Sequence, residues 1–212
     1  MLSGQNCIEL IKAMQNMIEA NRDYLSALDS ATGDGDHGVN LTTALELAVP
    51  AVEGLDHPSP ADVMKTVGSI LINDMGGASG AIFGSFFRGG SKAIKEYDEL
   101  GLEELLAFVE AGLAMVQKRG KAQTGDKTIV DTLHPAVVAL KDGIKNNINL
   151  PEAMMNAAEA AQVGATKTAE MVAKFGRAKY LGERSLGHQD AGATSMALIL
   201  KAWADYLGTL NK

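Results

Sequence analysis

The sequence predicts an all-α fold: an antiparallel eight-helix bundle or barrel forming one domain over residues 1–212. Three observations carry this. Apolar residues recur at steps of three, four or seven almost throughout, so they stack on helix faces. No run shows the two-residue alternation of a half-buried strand, and the long alanine-rich stretches favour helix. Chemically marked starts and stops separate the stripes.

The first helix is read from Ile8, Ile11, Met14, Ile18, Leu25 and Leu28, which share one face. Seven further stripes follow at Leu41–Val52, Val63–Leu71, Ala81–Ile94, Leu102–Val116, Ile129–Ile144, Ala153–Val172 and Ala193–Leu207. Ser59-Pro60-Ala61-Asp62 sets a capping hydroxyl before a first-turn proline and acid, and Leu150-Pro151-Glu152 repeats the proline–acid order. Lys118-Arg119-Gly120 and Lys174-Phe175-Gly176 read as helix ends, with cations on the last turn and glycine where the chain leaves. Pro50 and Pro135 fall near helix interiors or ends and blur the boundaries there.

Composition bounds the function. A 212-residue chain that is 46% hydrophobic and 21% charged has the balance of a folded globular protein. The formal net charge of −7 opposes binding to a nucleic-acid backbone. A single cysteine, Cys7, excludes a disulfide framework and a thiolate zinc site. With no basic flank before an apolar N-terminal run and no stretch of membrane-spanning length, the expectation is a cytoplasmic protein without a membrane partner.

Four connections stand out: Gly33–Gly38 (GDGDHG), Met75–Gly80 (MGGASG), Gly120–Thr128 (GKAQTGDKT) and Gly176–Gly192. All are glycine-rich, and all follow odd-numbered predicted helices. Antiparallel neighbours would therefore gather them at one end, together with the N-termini of helices two, four, six and eight. Unpaired backbone N–H groups there form a natural anion site. Segments 118–127 and 174–184 hold eight of the 19 basic residues, about four times an even spread. An acidic chain that collects its cations beside helix N-termini is predicted to hold a polyphosphate.

Asp29, Asp34 and Asp36 are the sharpest signal: three short carboxylates around a glycine turn suit Mg2+, which takes a few carboxylates plus phosphates and water. Taken singly, each aspartate is ordinary turn chemistry. Other motif readings fail. Gly33-x-Gly35-x-x-Gly38 matches the dinucleotide fingerprint in letters, with Glu53 near the expected later position, but a helix precedes it. An EF-hand begun at Asp34 meets Gly38, Val39 and Leu45 where a ligand, a glycine and a glutamate belong. Gly120 to Thr128 resembles a P-loop with one residue too many and no leading strand. Lys127 and Thr128 remain candidate phosphate contacts.

Gly76-Gly77-Ala78-Ser79-Gly80 serves either tight helix packing or a ligand edge against backbone, with Ser79 capping the next helix. Asp190-Ala191-Gly192-Ala193-Thr194-Ser195 has the same ambiguity. His57 reads as exposed and His134 as core or cap, whereas His37 and His188 lie in glycine loops where a nucleotide could reach them. No histidine is matched to a serine or cysteine so as to indicate a nucleophile, and no catalytic group separate from metal and phosphate ligands is assigned. The methionines and Trp203 read as core.

In order, Asp29…GDGDHG…N, MGGASG, KRGKAQTGDKT, KFGRAKYLGERSLGHQD and GATS resemble the ADP-binding L subunit (DhaL) family of bacterial dihydroxyacetone kinases, from about Leu25 to Ser195. The resemblance implies an eight-helix barrel with nucleotide at one rim, Asp29, Asp34 and Asp36 holding Mg2+ against ADP, and His37, Gly38, Val39 and Asn40 as nucleotide contacts. It further implies Ala78, Ser79, Gly120, Ile129, Arg177, Asp190, Ala191 and Gly192 as the remaining pocket.

In the phosphoenolpyruvate-dependent branch, ADP is a bound coenzyme rephosphorylated by a phosphohistidine M subunit. Its γ-phosphoryl group then passes to dihydroxyacetone on a K subunit, so the L subunit is inert alone. Two alternatives stand beside this reading. One is a kinase subunit that exchanges ATP, acting on dihydroxyacetone or a related small ketose. The other is a nucleotide-state sensor that binds a transcriptional regulator without touching nucleic acid. Family members often carry proline where this chain has Ala191, which bears on the stiffness of the last loop.

Overall fold

The computed structural model describes residues 1–210. Nine α-helices stand among the described residues: α1 (Gly4–Ala20), α2 (Arg22–Thr32), α3 (His37–Glu53), α4 (Pro60–Asp74), α5 (Gly77–Ala93), α6 (Leu102–Gly120), α7 (Val130–Lys145), α8 (Leu150–Lys167) and α9 (Ala191–Thr209). Helices α3 to α9 each pack on the next in sequence, and α1 packs on both α3 and α9. This closes a ring around a shared core.

The predicted eight-helix count is recovered when α1 and α2 are taken as one broken stave, because α2 also touches α3 and α9. The break is at Asn21, whose backbone has left the helical region at φ −110° and ψ 10° and whose side-chain amide donates to the Met17 carbonyl at 2.8 Å. A short polar side chain that captures a local carbonyl competes with the helix ladder.

Caps place the ends. Ser59 accepts from the Asp62 amide and Asn149 from the Glu152 amide, each before a proline in the first turn, as expected. Other ends differ. Helix α6 runs through Gly120, and Lys121 rather than the glycine takes the left-handed exit (φ 63°). Helix α8 stops at Lys167, not Val172, so Lys174-Phe175-Gly176 is not a helix end. Two 3-10 stretches, Thr168–Glu170 and Ala178–Ser185, lie in the connection that follows. Pro50 and Pro135 both sit inside helices. One small sheet joins the helices without altering the all-α class: β1 (Leu2–Ser3) pairs antiparallel with β2 (Glu99–Leu100), tying the N-terminus to the α5–α6 connection.

Inside the ring, Phe86, Phe87, Phe108 and Trp203 are fully buried and meet at tilted or edge-on angles, with Phe86–Phe87 centroids 5.3 Å apart and Phe108–Trp203 5.8 Å. Such aromatic packing adds about 0.5–1.5 kcal/mol per pair beyond area burial. Trp203 is core as read. His57 is exposed as read, but His134 lies on the outer face of α7 and is exposed, not core. Among the described residues no helix is long and apolar enough to cross a membrane.

Candidate functional site: the glycine-loop rim

Cross-contacts show that the four marked connections share a rim. Arg177 in the α8–α9 connection meets Asp34 in the α2–α3 connection through a guanidinium–carboxylate contact. Lys174 reaches Asp126 of the α6–α7 connection at 2.8 Å. The imidazole of His37, at the start of α3, lies 2.8 Å from the Ser195 hydroxyl near the start of α9 and 5.8 Å from the Phe83 ring of α5. Thr132 of α7 donates to the Ala193 carbonyl at 3.0 Å. The starts of α3, α5, α7 and α9 therefore face one another.

Asp29, on the last turn of α2, is half-buried, whereas Asp34 and Asp36 are exposed. Each offers a carboxylate oxygen, and the three oxygens all lie within 4.8 Å of one another. Local chain chemistry brings them together: the Gly33 amide closes on the Asp29 carbonyl at 2.5 Å, and Gly35 takes a left-handed turn at φ 78°. The His37 amide then donates to the Asp29 carboxylate at 3.2 Å. Three hard-oxygen donors at this spacing, one edge open to solvent, fit a small divalent cation that keeps other ligands.

His37, Gly38, Val39 and Asn40 form the first turn of α3. His37 is buried, and burial lowers its pKa against the opposing pull of Asp29 and Asp36. Gly38 is also buried, and a Cβ there would stand 2.1 Å from the Arg22 carbonyl of α2. Its small size is thus needed for α2–α3 contact, whatever else it touches. Val39 is 49% exposed beside it, and Asn40 is half-buried.

The five-residue glycine segment divides its work. Gly80 packs α5 on α4, with a Cβ position 2.6 Å from the Leu71 carbonyl, while Gly76 has open space and a left-handed φ of 74°. Gly76 caps α5, so the expected Ser79 cap is not found. Ala78 and Ser79 lie in the first turn of α5, exposed and half-exposed. Gly120 faces Ile82 of α5, and Ile129 is buried in the core cluster.

Lys127 departs from expectation most sharply. Its side chain is only 1% exposed overall, and its ammonium donates to the carbonyls of Thr168, at 2.6 Å, and His188. It does not point into open rim space. The Thr128 hydroxyl accepts from the Val130 amide at 3.2 Å, a turn role. His188 is exposed and contributes its carbonyl rather than its ring to this cluster.

Asp190 caps α9 through the Ala193 amide at 2.7 Å, and Ala191 and Gly192 begin that helix. Burial pushes the Asp190 carboxyl up to about 6, against the Ala193 hydrogen bond and the charge of Lys127. Arg177 is 61% exposed at its side chain and lines a shallow cleft with Ser30, Thr32, Gly33, Asp34 and Leu181.

Three rim residues have roles that the sequence reading did not assign. Asp131 is buried and accepts from the amides of Gly125 (2.5 Å) and Thr128 (2.9 Å), bracing the α6–α7 connection. Its signal was available, since Thr128-x-x-Asp131 is a capping-box spacing. Asp126 accepts from the Gln123 amide at 2.7 Å, and its bond to Lys174 holds its pKa below the usual carboxylate range. Ser195 lay in the marked 190–195 segment, but its partner His37 stands 158 residues away in sequence.

Fold and rim together define a helical-barrel protein built around an acidic turn that fits a divalent cation and convergent helix N-termini. Residues 31–205 match the DAK2 domain. The ADP-binding subunit DhaL of the PEP-dependent dihydroxyacetone kinase of Escherichia coli (strain K12) is 36% identical over 203 residues, 96% of this chain and 97% of that subunit. A DhaL subunit of Listeria innocua is 39% identical over 185 residues, 87% of each chain. The crystal structure of the C. freundii dihydroxyacetone kinase in complex with AMP-PNP and Mg2+ superposes with a TM-score of 0.71 at 27% identity. That match covers 93% of this chain and 33% of the longer kinase chain. The protein belongs to the DAK2-domain family and, within it, to the DhaL-type subunits of dihydroxyacetone kinases, which are phosphotransferases.

Proposed function

We propose that this chain is one cytoplasmic nucleotide-binding domain that presents Mg-ADP, and its phosphorylated form, to a sugar-binding K subunit, where the γ-phosphoryl group passes to dihydroxyacetone. A phosphohistidine M subunit of a phosphoenolpyruvate-dependent system recharges the ADP in place. The observation that carries this reading is the convergence of the Asp29, Asp34 and Asp36 oxygens within 4.8 Å on the rim where the helix N-termini meet.

In this reading Asp29, Asp34 and Asp36 hold the magnesium ion, whose bound charge lowers the repulsion between the phosphates and an incoming nucleophile. The exposed N-terminus of α5 offers free amides at Gly77, Ala78 and Ser79 to an anion. The first turn of α3 and residues 190–192 form further walls of the pocket, with Gly120 and Ile129 closing it. Arg177, already beside the acidic turn, turns to phosphate oxygens as they arrive. Phosphoryl transfer requires positioning and charge compensation rather than a protein nucleophile. No separate acid or base is assigned to this chain, and it transfers nothing by itself.

The 36% identity with the ADP-binding subunit of a PEP-dependent dihydroxyacetone kinase supports partnership with separate K and M subunits. A regulator that senses nucleotide state would read the same exposed rim. The test is reconstitution with a K subunit and dihydroxyacetone, supplying the phosphoenolpyruvate components or ATP separately. Transfer from phosphoenolpyruvate alone, with ADP retained through dialysis, is the expected result; transfer only from exchanging ATP identifies the other branch. Asp36→Ala is expected to lose Mg-ADP affinity by tenfold or more, and unchanged affinity refutes the metal assignment.

A further inference from the structure

The longest connection on the rim, between α8 and α9, carries Arg177 on a stretch with little regular structure. Its two ends are brought together at a neck. The chain leaves α8 at Thr168 and returns at His188, and the Gly187 amide donates to the Ala169 carbonyl at 2.8 Å. The Asp190 amide donates to the Thr168 hydroxyl at 2.9 Å. Lys127 enters this neck from another connection: its ammonium donates both to the Thr168 carbonyl, at 2.6 Å, and to the His188 carbonyl. One side chain thus bridges the departing and the returning strand.

The neighbouring residue acts on the same connection farther out. Asp126 accepts from the Lys174 ammonium at 2.8 Å, and its backbone carbonyl accepts from the Lys174 amide at 3.3 Å. Lys174 is three residues from Arg177. Within the connection, the Ala173 amide donates to the Ser185 hydroxyl at 2.9 Å, which joins the two limbs. Asp126 and Lys127 therefore grip the Arg177-bearing segment at two places.

The chain accepts unfavourable features to do this. Lys127 has a left-handed backbone (φ 60°), a conformation that lysine rarely adopts. Its ammonium is withdrawn from water, and burial lowers its pKa while the Asp190 charge opposes that shift. An ammonium with three donors can tie two carbonyls in a way no apolar side chain could.

We propose that Lys127 is a positioning residue: it clasps the neck of the 168–190 connection and so sets where Arg177 stands against the metal-binding carboxylates. The assignment to Arg177 rests on the nucleotide reading above. Two measurements on the full-length protein test it. In amide hydrogen exchange without nucleotide, Lys127→Met speeds exchange across residues 169–187 by tenfold or more and leaves α5 and α6 unchanged. In titrations with ADP and magnesium, Lys127→Met weakens binding at least tenfold in the wild-type background but less than twofold in an Arg177→Met background. A residue that merely supports the fold would weaken both backgrounds equally.

Lys174→Met removes a largely exposed ammonium together with its bond to Asp126, and provides the second variant should Lys127→Met fail to fold. It is expected to shift exchange and affinity in the same directions by smaller factors. Unchanged exchange at 169–187, or equal losses of affinity in the two backgrounds, overturns the proposal. A wild-type protein that binds no Mg-ADP overturns the nucleotide reading and the role given to Arg177, while the exchange comparison still decides whether the clasp exists.

Discussion

Arg177 and Asp34 are in contact across the rim, a guanidinium from the α8–α9 connection on a carboxylate of the acidic turn. The cation therefore already occupies part of the space a metal ion would claim. Removing it should have opposite effects on two ligands. Arg177→Met is expected to raise the affinity for Mg2+ alone by up to about fivefold, since a partly exposed ion pair contributes up to about 1 kcal/mol. The same change should weaken Mg-ADP, because a phosphate partner is lost. Calorimetric titration with each ligand checks this, and a shift of the same sign for both would contradict the competition.

Gly38 shows how closely the acidic turn is seated on α2. A Cβ there would fall 2.1 Å from the Arg22 carbonyl and 2.9 Å from the Ser26 amide, both backbone atoms that move only with their helix. Gly38→Ala is expected to cost about 1–3 kcal/mol through overpacking, and to weaken Mg-ADP by displacing Asp36 and His37. Gly208, in α9 with no neighbour inside 4 Å, is the control. Gly208→Ala should leave stability level or raise it by about 0.5–1 kcal/mol. Thermal melts of the two variants, with Mg-ADP titrations, distinguish local crowding from a general intolerance of helix alanines.

The parts legible in the sequence are those set by near neighbours. Ser59 and Asn149 announce their helices because a cap is a contact three residues long, and the aspartate trio is visible because eight residues contain it. The end of α8 was not legible. The apolar pattern continues to Val172, but Thr168 is held by Asp190 and Lys127, whose partners lie far along the chain. The break at Asn21 is hidden for a different reason: the seven-residue step from Ile18 to Leu25 keeps both on the buried face whether or not the helix is interrupted. Lys127 could be placed in a binding loop by its neighbours, but the inward turn of its side chain depends on carbonyls 41 and 61 residues away. His134 was misplaced because the helical stripe puts it near core positions without saying which side of α7 is covered.

Asp190 gives the rim a pH signature. Burial raises its carboxyl from an ordinary value of 3.8 to about 6, so the folded protein holds this proton more tightly than the unfolded chain does. Well below the unfolded value of 3.8 the group is protonated in both states and the penalty vanishes. As pH rises towards 6 the unfolded chain gains by ionising first, and above 6 the full penalty applies. Asp190→Asn keeps a capping oxygen for the Ala193 amide. Its melting temperature should lie close to that of the original protein near pH 3 and exceed it at pH 7.5. Melts at both values check the sign; an equal gap at the two would place the effect outside this ionisation.

Ala191 opens α9 directly after the Asp190 cap, the first helical position. Proline is favoured there because its φ is already near the helical value and the amide it lacks would have no partner within the helix. Ala191 is buried, so the ring must also find room, but the preceding Asp190 has the extended backbone (φ −73°, ψ 127°) that a following proline requires. Ala191→Pro is therefore expected to stabilise the fold by about 0.4–1 kcal/mol, chiefly by restricting the unfolded chain. The start of α9 is joined to His37 through Ser195 and to α7 through Thr132. A stiffer start should accordingly slow release of bound Mg-ADP more than it changes the rate of binding. Stopped-flow displacement and denaturant melts measure the two effects, and a destabilised protein with unchanged release would show that the proline ring does not fit.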